Sequence, residues 1–548
     1  MRMLFLHPKT LVDSWPFPVD TLGEVVKAPS AVYPILAAAI ADLPFEIEIF
    51  DGYVTRETLP NYRRRLAGAD VIAISIMSPL KALDTELTIR LAREINPSVR
   101  IVVGGNHATA FPDRWIECGV DFVVTGEGEI AFRHLAEALL GRAEFADVPN
   151  LVYRSGAAGI IRNAQVAPTL VLDESPMPRW DLMDLGRYGL GTVRRGRCAA
   201  VEISRGCPHR CDFCNINTYW GYRQRYKSVE RVIEELDRLH RLGVREFIFT
   251  DDNFAHDHAH TTRLLEEMIR RDFRFGFGSF LRGDTVRRNP GFAALAARAG
   301  MRFCLMGIET LDVAWLRSHR KGVGAPDAAA MYADVYRTLR THGVFLVGLF
   351  ITPPEAPAQT FSGKGVDGVV CDYHYTADLV AQKGSALYDT LATSAGVGKD
   401  MFYHDWNMPS IVLKDGRLQP SRRNMSVMLR DSLNLFALRG HFSPSRFERR
   451  FRWRHLGVMA ERLLCSSAMD IRRFRIAKDQ SRPLEERQRS IVGSMIDPPV
   501  VRRLASARRW KSPLALRNGL WPAHPVAVPA PVARTGVAMA GAGGGEDA

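Results

Sequence analysis

Cysteine is sparse in this chain: eight residues in 548. That is too few to staple a protein of this length through disulfides, and it favours a reducing compartment. Long apolar runs are also missing. No uninterrupted stretch approaches the roughly 20 residues that span a bilayer. The N-terminal Met-Arg-Met-Leu-Phe-Leu-His-Pro is too short for a secretory signal and reads as a first strand. Together these absences lead us to expect a cytoplasmic protein. No internal repeat is evident. Acidic residues thin out late in the sequence. Between 421 and 520 there are 21 Arg and 2 Lys against 8 Asp and Glu, so that stretch carries +15 of a total of +13 and the remainder about −2.

Three of the eight cysteines stand together. Cys207, Cys211 and Cys214 follow the short apolar run Val201-Glu-Ile-Ser in a C-x3-C-x2-C spacing. No second pair of ligands follows Cys214 at the spacing of a zinc ribbon. Thiolates also hold iron–sulfur clusters, and a cubane has four irons. Three ligands therefore leave one iron open to a small chelating molecule.

Before and after this motif the chain alternates strands and helices. Strands are expected at 3–6, 45–50, 71–75, 101–103 and 122–125, with helices at 31–43, 56–67 and 80–95 and a short turn of helix after Pro112. Apolar strands separated by helices imply a parallel, doubly wound sheet over 1–140, with ligands beyond the carboxyl ends of its strands. Ser75-Ile-Met-Ser78, Gly104-Gly105-Asn-His107 and Gly126-Glu127-Gly128-Glu129 fall there. Glycines let backbone approach a flat cofactor or its nucleotide tail, although any flavodoxin-like domain has some. Residues 141–198 form a connector with an expected hairpin at 150–154 and 160–162. From 199 to 395 six strands, at 199–203, 246–250, 275–281, 302–306, 344–350 and 373–379, suggest a (β/α)6 partial barrel. Its chemistry should sit at the carboxyl ends of the strands. Those ends present Asp251-Asp252, Arg282 and Gly307-Ile-Glu309-Thr310. Each alone reads as a strand-end cap or an ion pair. Cys304 and Cys371 read as buried apolar residues, and the Lys383-Gly-Ser385 turn as a helix cap.

C-x3-C-x-Phe-C after a strand resembles the signature of the radical S-adenosylmethionine (SAM) superfamily. Val-Val-Gly-Gly-Asn-His followed by Thr-Gly-Glu-Gly-Glu resembles the cobalamin-binding domain that precedes such barrels in cobalamin-dependent methylases and the anaerobic Mg-protoporphyrin ester cyclase. The resemblance implies a [4Fe-4S] cluster on Cys207, Cys211 and Cys214. Its open iron would chelate SAM, Phe213 would lie near the adenine, and Asp252, Arg282 and Glu309 would contact SAM. Ser75, Gly104, Gly105, His107, Gly126 and Glu127 would line the cobalamin site. The Asp-x-His-x-x-Gly motif that supplies a histidine to cobalt elsewhere is absent, so none is expected on the metal here. His7 and His107 then read as pocket-lining or structural.

The function implied is methyl transfer to an unactivated carbon of a small-molecule, lipid or tetrapyrrole-type substrate, in the class B manner. One SAM supplies the methyl for cobalamin and another is cleaved to a 5′-deoxyadenosyl radical. The alternative is oxidative cyclisation or rearrangement without methyl transfer. A redox sensor binding nucleic acid would leave the strand-end residues idle, and no nucleic acid is expected. A flavodoxin or ferredoxin is the expected electron donor. Tyr403–Asn407 suggests a lid. The basic helical region 396–520, with Phe442, Phe447, Phe451, Trp453 and Phe474 among its arginines, suits peripheral contact with an anionic membrane or is a solvated face. Residues 521–548 read as a disordered tail.

Overall fold

The computed structural model describes residues 1–8, 28–52, 54–55, 59–77, 80–156, 159–166, 171–190, 197–322, 327–352, 361–362, 365–366, 371–379, 381–395, 412–414 and 417–419. The expected lid at 403–407, the basic region from 421 to 520 and the tail lie outside these residues. Among the described residues no helix is long and apolar enough to cross a membrane.

The first sheet contains β1 (Arg2–His7), β2 (Glu46–Asp51), β3 (Val71–Ser75), β4 (Arg100–Gly104), β5 (Phe122–Val124), β6 (Leu151–Ser155) and β7 (Gly159–Arg162), in the order β2-β1-β3-β4-β5-β6-β7. The first five are parallel; β1, β3, β4 and β5 are near-continuous apolar runs with buried centres, whereas β2, at the edge, alternates Glu and Ile. The helices are α1 (Val32–Ala39), α2 (Leu59–Ala67), α3 (Leu80–Ile95), the short α4 (Asn106–Ala110) and α5 (Pro112–Glu117), and α6 (Gly128–Leu139). The hairpin β6–β7 pairs antiparallel with β5. The sheet thus runs on to Arg162 through the hairpin expected in the connector, because an antiparallel hairpin adds to an edge without a crossover. Strand order reverses between β1 and β3, and the crevice at that point is where doubly wound folds bind ligands.

The second sheet is parallel throughout. It runs β8 (Arg197–Val201), β11 (Val244–Phe249), β12 (Gly276–Leu281), β13 (Met301–Glu309), β14 (Phe345–Thr352) and β15 (Tyr373–Asp378), each beside the next. A small ladder, β9 (Ser204–Arg205) with β10 (Arg225–Tyr226), brackets the cysteine loop and the short α7 (Ile216–Trp220). Outer helices include α8 (Val229–Arg241), α9 (His258–Arg270), α10 (Gly283–Arg288), α11 (Phe292–Ala299), α12 (Val313–Ser318), α13 (Ala328–Thr341) and α14 (Ala386–Ala395).

Local chemistry sets their ends. Ser228, Asp257 and Asp327 accept from Arg231 N (3.2 Å), His260 N (2.9 Å) and Ala330 N (3.0 Å), each cap contributing about 1 kcal/mol. Gly300 turns α11 into β13 at φ +116°, where a Cβ would lie 2.0 Å from Phe275 O. Phe247 and Phe277 stack across β11 and β12 at 5.4 Å within an aromatic core. Cys304 and Cys371 are fully buried there, as expected.

Candidate functional site

The cysteine loop leaves β8 over the carboxyl end of the barrel. Asp251, at the end of β11, is buried and turned toward the start of this loop. Its carboxylate accepts from Ile203 N (3.2 Å), Ser204 N and Ser204 Oγ (2.6 Å). Burial pushes its pKa up to about 7. Asp252 accepts from the Gly206 backbone and is raised to about 6 by burial. Gly206 sits at φ +92°, and a Cβ there would meet Arg223 O at 2.3 Å, so the position takes only glycine.

Cys207, Cys211 and Cys214 are half-buried in the loop. Burial raises all three thiol pKa values, Cys214 to about 12. The positive charges of Arg282 and Lys321 oppose that rise at Cys211, and Arg282 does so at Cys207. Thiolates here need the further charge of a metal. Among the described residues no three His, Cys, Asp or Glu side chains converge on one ion. A cubane would take one iron on each of the three thiolates.

Glu309 ends β13 in the left-handed region at φ +65°, a conformation held against intrinsic preference. Lys321 closes on its carboxylate and donates to Gly307 O at 2.9 Å. Arg282 binds Asp284 Oδ1 (3.0 Å) and Gly322 O (2.7 Å), so its fork is largely occupied by the protein. Phe213 stacks on Trp315 at 5.8 Å.

The other expected residues gather at the crevice. A cavity of about 400 Å³ runs from the carboxyl ends of β1, β3 and β4, beneath α1 and α6, to the start of the cysteine loop. Ser75, Gly104, Gly105, Gly126 and Glu127 line it from the first domain, and Glu202, Thr250 and Asp252 from the barrel. Gly105 takes φ +89°, where a Cβ would press on Ile76 O at 2.9 Å. The Ser75 hydroxyl is buried without a partner among the described residues, an acceptor and donor held ready for a ligand. This glycine-walled slot and orphaned hydroxyl fit the nucleotide tail of cobalamin.

Two expectations change. His107 does not line the cavity: it is 4% exposed, and its Nδ1 accepts from Trp115 Nε1 at 3.2 Å. Its place on α4 turns it into the domain's aromatic core beside Phe111. The Glu127 carboxylate is tied to Arg225 and lies 3.7 Å from Arg205 Nη1. Arg205 is also paired with Glu129 and Glu202 (2.7 Å), making a buried ionic junction between the two domains. Arg205, Arg225, Lys321 and Asp251 were not singled out for these roles from sequence. Asp251 was read as a strand-end acid and not as an anchor of the loop, and Arg205 stands two places before Cys207.

Residues 28–136 match the B12 binding domain family model and 201–358 the Radical SAM superfamily model. An uncharacterized methyltransferase of Pyrococcus horikoshii is 30% identical over 355 residues, covering 63% of this chain and 74% of that protein. The hopanoid C-3 methylase of Methylococcus capsulatus is 31% identical over 333 residues, covering 59% and 60%. In three dimensions the radical SAM methyltransferase TsrM of Kitasatospora setae superposes with a TM-score of 0.59 at 17% identity, over 85% of this chain and 99% of that one. The chain belongs to the cobalamin-binding radical SAM enzymes, a family whose cofactors are cobalamin, SAM and a [4Fe-4S] cluster.

Proposed function

We propose that this protein transfers a methyl group to an unactivated carbon of a small, lipid-like molecule. The observation that carries the reading is the continuity of the 400 Å³ cavity, which joins the crevice of the first domain to the base of the cysteine loop. When bound, the cluster supplies one electron to the SAM sulfonium and cobalamin a transferable methyl group, chemistry beyond side-chain acids and bases.

The chain's own groups have positioning work. Cys207, Cys211 and Cys214 hold three irons. Glu309, fixed by Lys321, and Asp252 receive the hydroxyl and ammonium groups of SAM, while Arg282 keeps a positive charge beside Cys207 and Cys211. Gly104, Gly105, Gly126 and the Ser75 hydroxyl would receive cobalamin. The similarity to a hopanoid methylase supports a lipid-like substrate. The net +15 of 421–520 supports peripheral contact of a cytoplasmic enzyme with an anionic membrane. The working division is a cobalamin domain, a connector, a barrel to about 395 and a basic C-terminal region.

The test is reconstitution with iron, sulfide and cobalamin, followed by reduction in the presence of SAM labelled in its methyl group. Formation of 5′-deoxyadenosine together with label in a lipid product supports the assignment. Label-free product of altered mass would move it to cyclisation or rearrangement. Cys207→Ala, Cys211→Ala and Cys214→Ala should each lose cluster iron, whereas Cys198→Ala and Cys304→Ala should keep it.

A further inference from the structure

A second cavity, of about 260 Å³, adjoins the first. The two share Gly126, Glu127 and Glu129, so the turn from β5 into α6 is a ridge between them. Gly126 is exposed at φ +70°, and a Cβ there would meet nothing within 4 Å among the described residues. A broad, flat ligand seated in the first cavity has room to extend across this glycine toward the second. The opposite wall of the second cavity comes from Thr218 and Tyr219 on α7, the helix that follows Cys214.

Its hydroxyl and amide groups are mostly acceptors. Tyr219 spends its proton on Asn106 O at 2.8 Å, and Thr218 spends its own on Gly384 O. Thr125 Oγ1 lies 3.0 Å from Asn150 O, nearer than Gln165 Oε1 at 3.2 Å. With its one proton on Asn150 O it accepts from Gln165 Nε2 at 3.1 Å, and Gln165 Oε1 stays open. Thr109 differs: its Oγ1 accepts from Gly126 N at 3.0 Å and keeps a proton to give. The carboxylates in the wall are already paired, Glu127 with Arg225 and Glu129 with Arg205. Three acceptor oxygens and one donor complement a primary carboxamide, which brings two N–H groups and one C=O. A carboxylate of the same shape would bring no donor, and would set a further negative charge beside Glu127 and Glu129.

We propose that this second cavity selects corrinoids by the amide state of their rim, taking one propionamide arm. The proposal rests on the reading above, in which cobalamin fills the adjoining cavity. Cobalamin carries primary carboxamides around a flat macrocycle, and its propionamides are longer than its acetamides, which suits an arm that must pass the Gly126 ridge. Ile130 and Val166, 41% and 45% exposed, give the cavity apolar surface for the methylenes of the arm. Thr109 and Gln165 are then specificity-determining residues, because they separate an amide from the acid of the same shape.

The experiment titrates full-length, cluster-reconstituted protein with hydroxocobalamin and with its mono-acids, in each of which one propionamide is hydrolysed to a carboxylate. Binding is read from the corrin absorbance at neutral pH and needs no turnover. One mono-acid should bind wild type about ten-fold or more weakly than hydroxocobalamin, the scale of a hydrogen-bonded amide replaced by a group that cannot donate. In the double variant Thr109→Val, Gln165→Leu, hydroxocobalamin should weaken by about ten-fold and its advantage over that acid should shrink to within about two-fold. Cluster iron in the variant should match wild type. Equal binding of every mono-acid and hydroxocobalamin to wild type would overturn the subsite while leaving the cofactor reading intact. An undiminished gap in the double variant would overturn it as well. If wild type binds none of these corrinoids, the cofactor reading fails and the subsite falls with it. Should the variant lose its iron, the wild-type comparison of amide with acid still decides.

Discussion

Arg205, two residues ahead of Cys207, is paired with Glu129 in the first turn of α6, so the cysteine loop of one domain is anchored in the other. Both side chains are buried, at 4% and 7% exposure. Arg205→Met should cost about 3–5 kcal/mol in urea unfolding, since it strands buried carboxylates without their cation. Burial pulls the Glu129 pKa upward, but the charge and hydrogen bond of Arg205 outweigh it and leave the group below its ordinary value. A depressed carboxylate stabilises above its unfolded pKa. The junction should therefore hold at neutral pH and weaken as pH falls below about 4.3. Stability that is flat from pH 6 to 3 would exclude this.

A second pH effect has the opposite sign. Asp251 keeps its proton in the folded chain up to about pH 7, whereas an unfolded Asp releases it near 3.9. The folded state then binds more protons between these values, so this group's contribution falls as pH rises from about 4 to 7. Asp251→Asn does not titrate. Its unfolding free energy should lack that decline, and parallel wild-type and variant profiles across pH 5–7 would refute the assignment.

Lys321 reaches Glu309 from twelve residues downstream. Lys321→Gln should leave cluster iron intact yet weaken SAM binding about 10- to 100-fold, the scale of a lost charge-assisted hydrogen bond. Lys321→Arg should recover part of it. Calorimetric titration of SAM decides this, and iron content shows whether the cysteine loop survived.

His107→Ala should leave the cob(II)alamin electron paramagnetic resonance spectrum unchanged, with no nitrogen splitting to lose. It should lower stability by about 1–3 kcal/mol, because the Trp115 indole N–H is left buried without its acceptor. Gly105→Val should abolish cobalamin binding instead, since its Cβ has no room beside Ile76 O.

What could be read from sequence was what repeats or clusters locally. Apolar strands spaced by helices announced both sheets, and the tight spacing of Cys207, Cys211 and Cys214 marked the loop. Strand ends followed from the alternation, so the positions of Asp252, Arg282 and Glu309 at those ends could be read without any contact being known. The ionic partners were not legible. Arg205 and Glu129 are 76 positions apart, and no periodicity links residues brought together by domain packing. His107 shows the converse limit. Its neighbours Gly104 and Gly105 line the cavity, but one further turn of backbone carries its ring into the core.

The loop's last ties come from far down the chain. Thr218 Oγ1 donates to Gly384 O, 166 residues away in sequence, and Leu387 N donates to Asp212 O at 2.9 Å. A nascent chain therefore carries all three cysteines long before it carries the segment that shapes them. Contacts of such separation form late, after most of the loop-closure entropy has been overcome. Iron delivered before Gly384 and Leu387 are synthesised would meet a loop that lacks these two ties.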